Sequence, residues 1–146
     1  MSLIDNIRTA FGSSANDMRT YSPLSFAFIG DSIYGLVIKT VITDRNNCPA
    51  NLLNKETVRY VNAKSQAMFY EYCEANDFLS EQESDIMRRG RNAKSYTKAK
   101  NASMGDYRKA TGVEALVGYL YMTGDEQRLI EIVRKCMECV DREEER

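Results

Sequence analysis

Between Leu24 and Val41 the chain carries a long apolar run at helical spacing. Leu24, Phe28, Ile29, Ile33, Leu36, Val37 and then Thr40 or Val41 recur every three or four residues. A helix apolar on several sides is a central helix and needs other helices around it. Ser22-Pro23 starts it, with serine as cap and proline in the first helical position. Within the run, Phe28-Ile29-Gly30-Asp31-Ser32-Ile33 places a carboxylate where burial is expected. Val113-Glu114-Ala115-Leu116-Val117-Gly118-Tyr119-Leu120 does the same later in the chain. Burying an ionised carboxylate is costly unless a cation or hydrogen bonds compensate. Each acid lies close to a helix glycine, so two tightly packed helices could bring both carboxylates onto one cation. The alternative is a pair of structural acids satisfied by arginine, lysine or backbone partners.

The rest of the chain is also helical in pattern. Asp44 to Pro49 reads as a polar turn, and a second helical region runs from about Asn51 to Asn76 with Leu52, Val58, Val61, Ala67, Met68 and Tyr72. Ser80-Glu81-Gln82-Glu83 is a capping box, so a third helix is expected from there to about Arg89, with Gly90 as its stop. Arg91 to Asp106 has no apolar period and reads as a long loop, a length more often functional than idle. Helical pattern resumes at Tyr107 and runs to Tyr121. Thr123-Gly124-Asp125 breaks it, and a last helix carries Leu129, Ile130, Val133, Cys136, Met137 and Val140. No strand-like alternation of useful length occurs. The expectation is an all-α fold in one domain over 1–146, with its core at about 22–140 and a charged tail at 141–146.

Composition excludes several chemistries. There is no histidine among the 146 residues, which removes Ser-His-Asp, Cys-His and histidine general-base mechanisms. Four cysteines include one C-x-x-C pair, Cys136 and Cys139, which at helical spacing reads as structural, reduced thiol. Met68, Met87, Met104, Met122 and Met137 read as core or gap-filling residues. Met1 to Ala10 has no apolar core of the signal-peptide kind, and no run approaches the roughly 18 to 20 unbroken apolar residues of a membrane span. A cytoplasmic location with no membrane partner is expected. Net charge is −1, but it is unevenly distributed. From Arg88 to Lys109 stand eight basic residues (Arg88, Arg89, Arg91, Lys94, Lys98, Lys100, Arg108 and Lys109) against the single acid Asp106. Phosphate contacts are local, so this patch suits a nucleic-acid backbone despite the acidic total.

These segments, in this order, resemble the ribonuclease III family. Phe28-Ile29-Gly30-Asp31-Ser32-Ile33-Tyr34 is similar to the signature of its first catalytic helix, and Val113-Glu114-Ala115-Leu116-Val117-Gly118 to that of its second. Arg89-Gly90-Arg91-Asn92-Ala93-Lys94-Ser95 and Asn62-Ala63-Lys64-Ser65-Gln66-Ala67 resemble segments of its small members, the mini-ribonuclease III group. The resemblance runs from about Ser22 to Leu129. It departs from the larger members at Ala27 and Thr111, where they carry acids. It also leads us to expect no separate double-stranded-RNA-binding domain after the last helix.

The resemblance implies a dimeric, all-helical endoribonuclease that cuts double-stranded RNA, with precursor large-subunit (23S) ribosomal RNA as the substrate context. It implies Asp31 and Glu114 as catalytic residues and ligands of magnesium, with manganese as a possible substitute. Magnesium takes oxygen ligands and needs only one or two protein carboxylates. Arg88, Arg91, Asn92, Lys94, Ser95, Lys98 and Lys100 are the expected RNA-binding residues, with Tyr96 able to add a hydrogen bond. The homodimer is also suggested by the Leu24–Ile38 stretch, where Phe26, Phe28, Ile29 and Tyr34 point in different directions. The competing reading is a non-catalytic RNA-binding or ribosome-assembly scaffold on the same fold, because Ala27 and Thr111 replace acids.

Overall fold

In the computed structural model, which describes residues 1–94 and 103–146, every regular element is helical. The elements are α1 (Leu3–Phe11), a 3-10 turn (Met18–Thr20), α2 (Pro23–Arg45), α3 (Ala50–Val58), α4 (Ala63–Ala75), α5 (Glu81–Asn92), α6 (Met104–Met122) and α7 (Glu126–Glu144). The all-α expectation holds. α6 is the axis of the molecule: it meets α2 most extensively, then α5 and α4, and α7 packs on α4 and α6.

Local chemistry fixes the helix starts. Ser22 accepts the Leu24 amide ahead of Pro23, and Ser80 forms a reciprocal box with Glu83. Ser103 accepts the Asp106 amide at 3.0 Å, so α6 begins at Met104 and not at Tyr107. The expected region from Asn51 to Asn76 is two helices. Asn62 divides them by accepting the Ser65 amide at 2.9 Å and donating to the Val58 carbonyl at 2.7 Å, which stitches the end of α3 to the start of α4. The amino-terminal helix α1 was not read from the apolar period. A Ser2–Asp5 capping box and Gly12 in the left-handed region (φ 61°) delimit it, and Ile4 joins the buried set outside the expected 22–140 core.

Gly90 does not stop α5. It lies inside that helix because it is the point where α5 crosses α6: a Cβ there would come 2.7 Å from the Ala115 Cβ and 3.0 Å from the Gly112 Cα. The second crossing is tighter. A Cβ on Gly30 of α2 would fall 1.8 Å from the Glu114 carbonyl oxygen, and one on Gly118 of α6 would fall 1.8 Å from the Phe26 carbonyl oxygen. Each helix thus presses backbone against backbone at the other's glycine.

The core fills the space behind these crossings with Tyr34, Ile38, Phe69, Val113, Leu116, Val117, Ile132, Val133 and Cys136. The Tyr34 hydroxyl donates to the Tyr60 carbonyl at 3.0 Å, so this buried polar atom is satisfied. α2 is long and apolar enough, by length and composition alone, to cross a membrane. Here Phe26, Gly30, Ile33, Tyr34, Ile38 and Ile42 face the body, while Asp31, Ser32, Lys39 and Thr40 face outward. Met104, expected in the core, is exposed at the start of α6.

The expected charged tail is not free. α7 continues to Glu144, and Arg59 pairs with both Glu144 and Asp141, while the Tyr60 hydroxyl donates to Asp141 at 2.6 Å. The buried acid Glu83 is held between its cap and Arg128 (Nε to Oε2 2.8 Å, Nη2 to Oε1 2.9 Å). Burial pushes its pKa up, but the Arg128 and Ser80 hydrogen bonds hold it below the ordinary glutamate value. All four cysteines are free. Burial pushes the Cys73 thiol up to about 12 and Cys136 far above its usual value, which makes them inert packing groups.

The glycine crossings give a paired test. Gly30→Ala forces α2 off α6 and should lose at least about 3 kcal/mol in urea unfolding. Gly35→Ala, on the same helix with nothing within 4 Å of its added methyl, should gain about 0.5 to 1 kcal/mol. Equal effects at the two positions would contradict the close crossing.

Candidate active site

Asp31 follows Gly30 directly, and Gly30 abuts the carbonyl of Glu114. The contact that joins α2 to α6 therefore also aligns the two acids. Their carboxyl groups face each other within hydrogen-bonding reach at the mouth of a cavity of about 560 Å³. Its wall is Leu24, Ala27, Phe28, Val61 and Ala110 on the apolar side, with Asn62, Gln66, Tyr107 and Thr111 on the polar side.

The expectation of two buried acids holds only in part. Glu114 is half-buried, but Asp31 is exposed, because α2 turns that face outward. Among the described residues neither acid pairs with arginine or lysine, so the structural ion-pair alternative has no partner here. The Glu114 pKa is pushed up to about 9, first by burial, then by the hydrogen bond and negative charge of Asp31; the Gln66 amide pulls it back slightly. Near neutral pH the isolated pair therefore holds one proton between its two carboxyl groups. Two carboxylates so close cannot both ionise without a compensating charge.

Among the described residues no group of three or more acids, cysteines or histidines converges. The donor set is two facing carboxylates, all oxygen. That set fits a hard divalent cation that keeps several waters. Ala27 contributes only a methyl group to the wall. Thr111 donates its hydroxyl hydrogen to the Tyr107 carbonyl of its own helix at 3.0 Å, and it brings no negative charge to the site. Asn62 is spent as a cap. Gln66 is different: it is only 5% exposed, and its buried Nε2 lies close enough to the Glu114 carboxylate to pull its pKa down, yet completes a hydrogen bond of good geometry to no group. Leaving such a donor unmade costs about 1 to 3 kcal/mol. Gln66 was missed among the site residues although it lies in the Asn62–Ala67 segment, because nothing in that segment shows which of its side chains turns toward the carboxylates.

The expected RNA-binding residues divide. Asn92 and Lys94 line a second hollow of about 500 Å³ with Met104 and Arg108, and Tyr107 and Thr111 line both hollows, so the two adjoin. Arg91 bonds to the Asn92 side chain at 3.0 Å and lies near Tyr70. Arg88 stands apart, paired with Asp85 in a hollow lined by Glu81, Gln82 and Ser84. Ser95, Tyr96, Lys98 and Lys100 lie outside the described residues. Arg108 was counted in the basic patch but not as a site residue; its place on the second hollow depends on where α6 begins.

The ribonuclease III domain model matches residues 24–125, which spans both carboxylates and both hollows. The chain belongs to the ribonuclease III family. It is 49% identical over 120 residues to Mini-ribonuclease 3 of Thermoanaerobacter sp. (strain X514), covering 82% of this chain and 83% of that one. It is 43% identical over 119 residues to Mini-ribonuclease 3 of Clostridium tetani, covering 81% and 78%. A solved protein structure from Fusobacterium nucleatum, 29% identical, superimposes with a TM-score of 0.74 and covers 85% of this chain and 98% of its own.

The raised Glu114 pKa has a sign that can be measured. Between about pH 4.5 and 9 the folded chain keeps a proton that the unfolded chain has released, so without divalent cations stability falls as pH rises across that window. Glu114→Gln removes this contribution. The metal-free wild type should lose more Tm between pH 5 and pH 9 than Glu114→Gln does, and parallel curves would contradict the proton held by the pair.

Proposed function

We infer that this chain is a magnesium-dependent endoribonuclease that cuts double-stranded RNA, working in the cytoplasm on precursor large-subunit ribosomal RNA. The single observation that carries the reading is the facing pair Asp31 and Glu114, two acids at a cavity that have no basic partner among the described residues. Asp31 and Glu114 would hold magnesium, with manganese able to replace it. The bound ion supplies a lowered water pKa and charge neutralisation on the phosphoryl oxygens.

The chain's own groups do the rest. Exposed Asp31 is placed to orient the attacking water and accept its proton. Glu114 would present the second carboxylate to a bound ion, its proton passing to bulk water. Asn92, Lys94 and Arg108 on the adjoining hollow receive phosphates of the duplex, which is gripped by shape and backbone and not by base identity. Arg91, Ser95, Lys98 and Lys100 extend that basic surface, and Arg88 serves at most its edge.

A homodimer fits the exposed apolar face of α2. Phe28 is 81% exposed and Leu36 51% exposed, and two sites related by a two-fold axis would match the two strands of a duplex.

Duplex RNA incubated with and without magnesium tests the reading. Wild type should cleave only with the cation, and Asp31→Asn should cleave less than about a hundredth as fast, a loss of about 2.7 kcal/mol in barrier. The same samples should sediment near twice 16.7 kDa. RNA binding with no cleavage under any divalent cation would favour the scaffold reading, and a monomer that still cuts both strands would remove the dimer.

A further inference from the structure

Gln66 is the one described residue whose buried side-chain polar atom has no partner. It sits on α4, the helix that packs on α6 beside the α2 crossing, and its side chain lines the same cavity as Asp31 and Glu114. The space around it is walled by Leu24, Ala27, Phe28, Val61 and Ala110, where methionine or leucine would fill the same volume without an orphan donor. Neither of the neighbouring polar side chains Asn62 and Thr111 accepts from it: Asn62 caps α4 and Thr111 donates to its own helix. A buried donor of this kind is expected to have an acceptor in the working state.

We propose that Gln66 is the positioning residue of the carboxylate pair: its Nε2 donates to the Glu114 carboxylate in the loaded site and fixes which oxygen faces the divalent cation. The proposal rests on the reading of Asp31 and Glu114 as cation ligands. An amide donor can hold an ionised carboxylate in one rotamer without neutralising it, whereas lysine or arginine at the same place would compete with the cation for it. Groups that orient a ligand in this way typically change metal affinity by about 10- to 100-fold when removed. A side chain that merely packs would not. A side chain that held RNA would change RNA affinity and leave the metal alone.

The test uses the full chain with Gln66→Met, which keeps the volume and removes the donor, and Gln66→Leu as a second apolar replacement. Free manganese is followed by electron paramagnetic resonance in a titration of RNA-free protein. The same variants are assayed for Tm and for kcat and KM on duplex RNA, with Glu114→Gln alongside. We expect both Gln66 variants to melt no lower than wild type, to bind manganese at least tenfold more weakly, and to lose kcat with KM unchanged. Wild-type manganese affinity in both Gln66 variants, with Glu114→Gln weakened, overturns the role of Gln66 alone. Undiminished manganese binding by Glu114→Gln overturns the cation site itself, and the proposal with it. A raised KM with unchanged manganese affinity also overturns it, in favour of an RNA contact.

Discussion

The contact between α2 and α6 at Gly30 and Gly118 governs the rest of the molecule. Helix axes usually stay 8 to 10 Å apart because side chains stand between them. Here a missing Cβ on each side lets the Glu114 carbonyl sit against Gly30 and the Phe26 carbonyl against Gly118. The core residues Tyr34, Ile38, Val113, Leu116 and Val117 are then close enough to pack without voids. The second glycine pair, Gly90 and Gly112, brings α5 onto another side of α6 in the same manner. One helix is thereby held at two backbone-close crossings, and the groups that project from it are fixed in position.

That rigidity has an electrostatic cost that the site exploits. Two carboxylates held face to face repel when both ionise, and burial adds to the penalty on Glu114. The fold does not relieve this with arginine, although it does so elsewhere: Glu83, also buried, carries a two-bond Arg128 clamp. The contrast between these two acids is one of compensation: one carboxylate has a cation built into the fold and the other has none. Glu83 is complete as it stands. Glu114 is complete only with a proton or a cation.

Much of this was legible in the sequence. The helix periods, the Ser22-Pro23 start and the Ser80 capping box set most of the elements, and the acids beside Gly30 and Gly118 marked the crossing. Gly90 misled, because glycine is required both at helix ends and at helix crossings, and only the packing of α5 on α6 separates those uses. The exposure of Asp31 was hidden for a related reason: an apolar run at helical period shows that a helix is central, but not which way each residue turns. Gln66 was illegible because its significance lies in an unmet hydrogen bond inside a cavity made by three separate helices. α1 left weaker traces, a Ser2–Asp5 pair and Gly12, that carry meaning only when read together.

The most direct test of the account is where a divalent cation sits. Crystals of the full chain grown with manganese, measured for anomalous scattering, should show a peak between the Asp31 and Glu114 carboxylates, with oxygen distances of about 2.1 Å typical of a hard octahedral ion. The Gly30–Gly118 crossing should be unchanged around it. Well-ordered Asp31 and Glu114 side chains with no anomalous peak between them at saturating manganese would contradict the claim that this crossing exists to build a cation site.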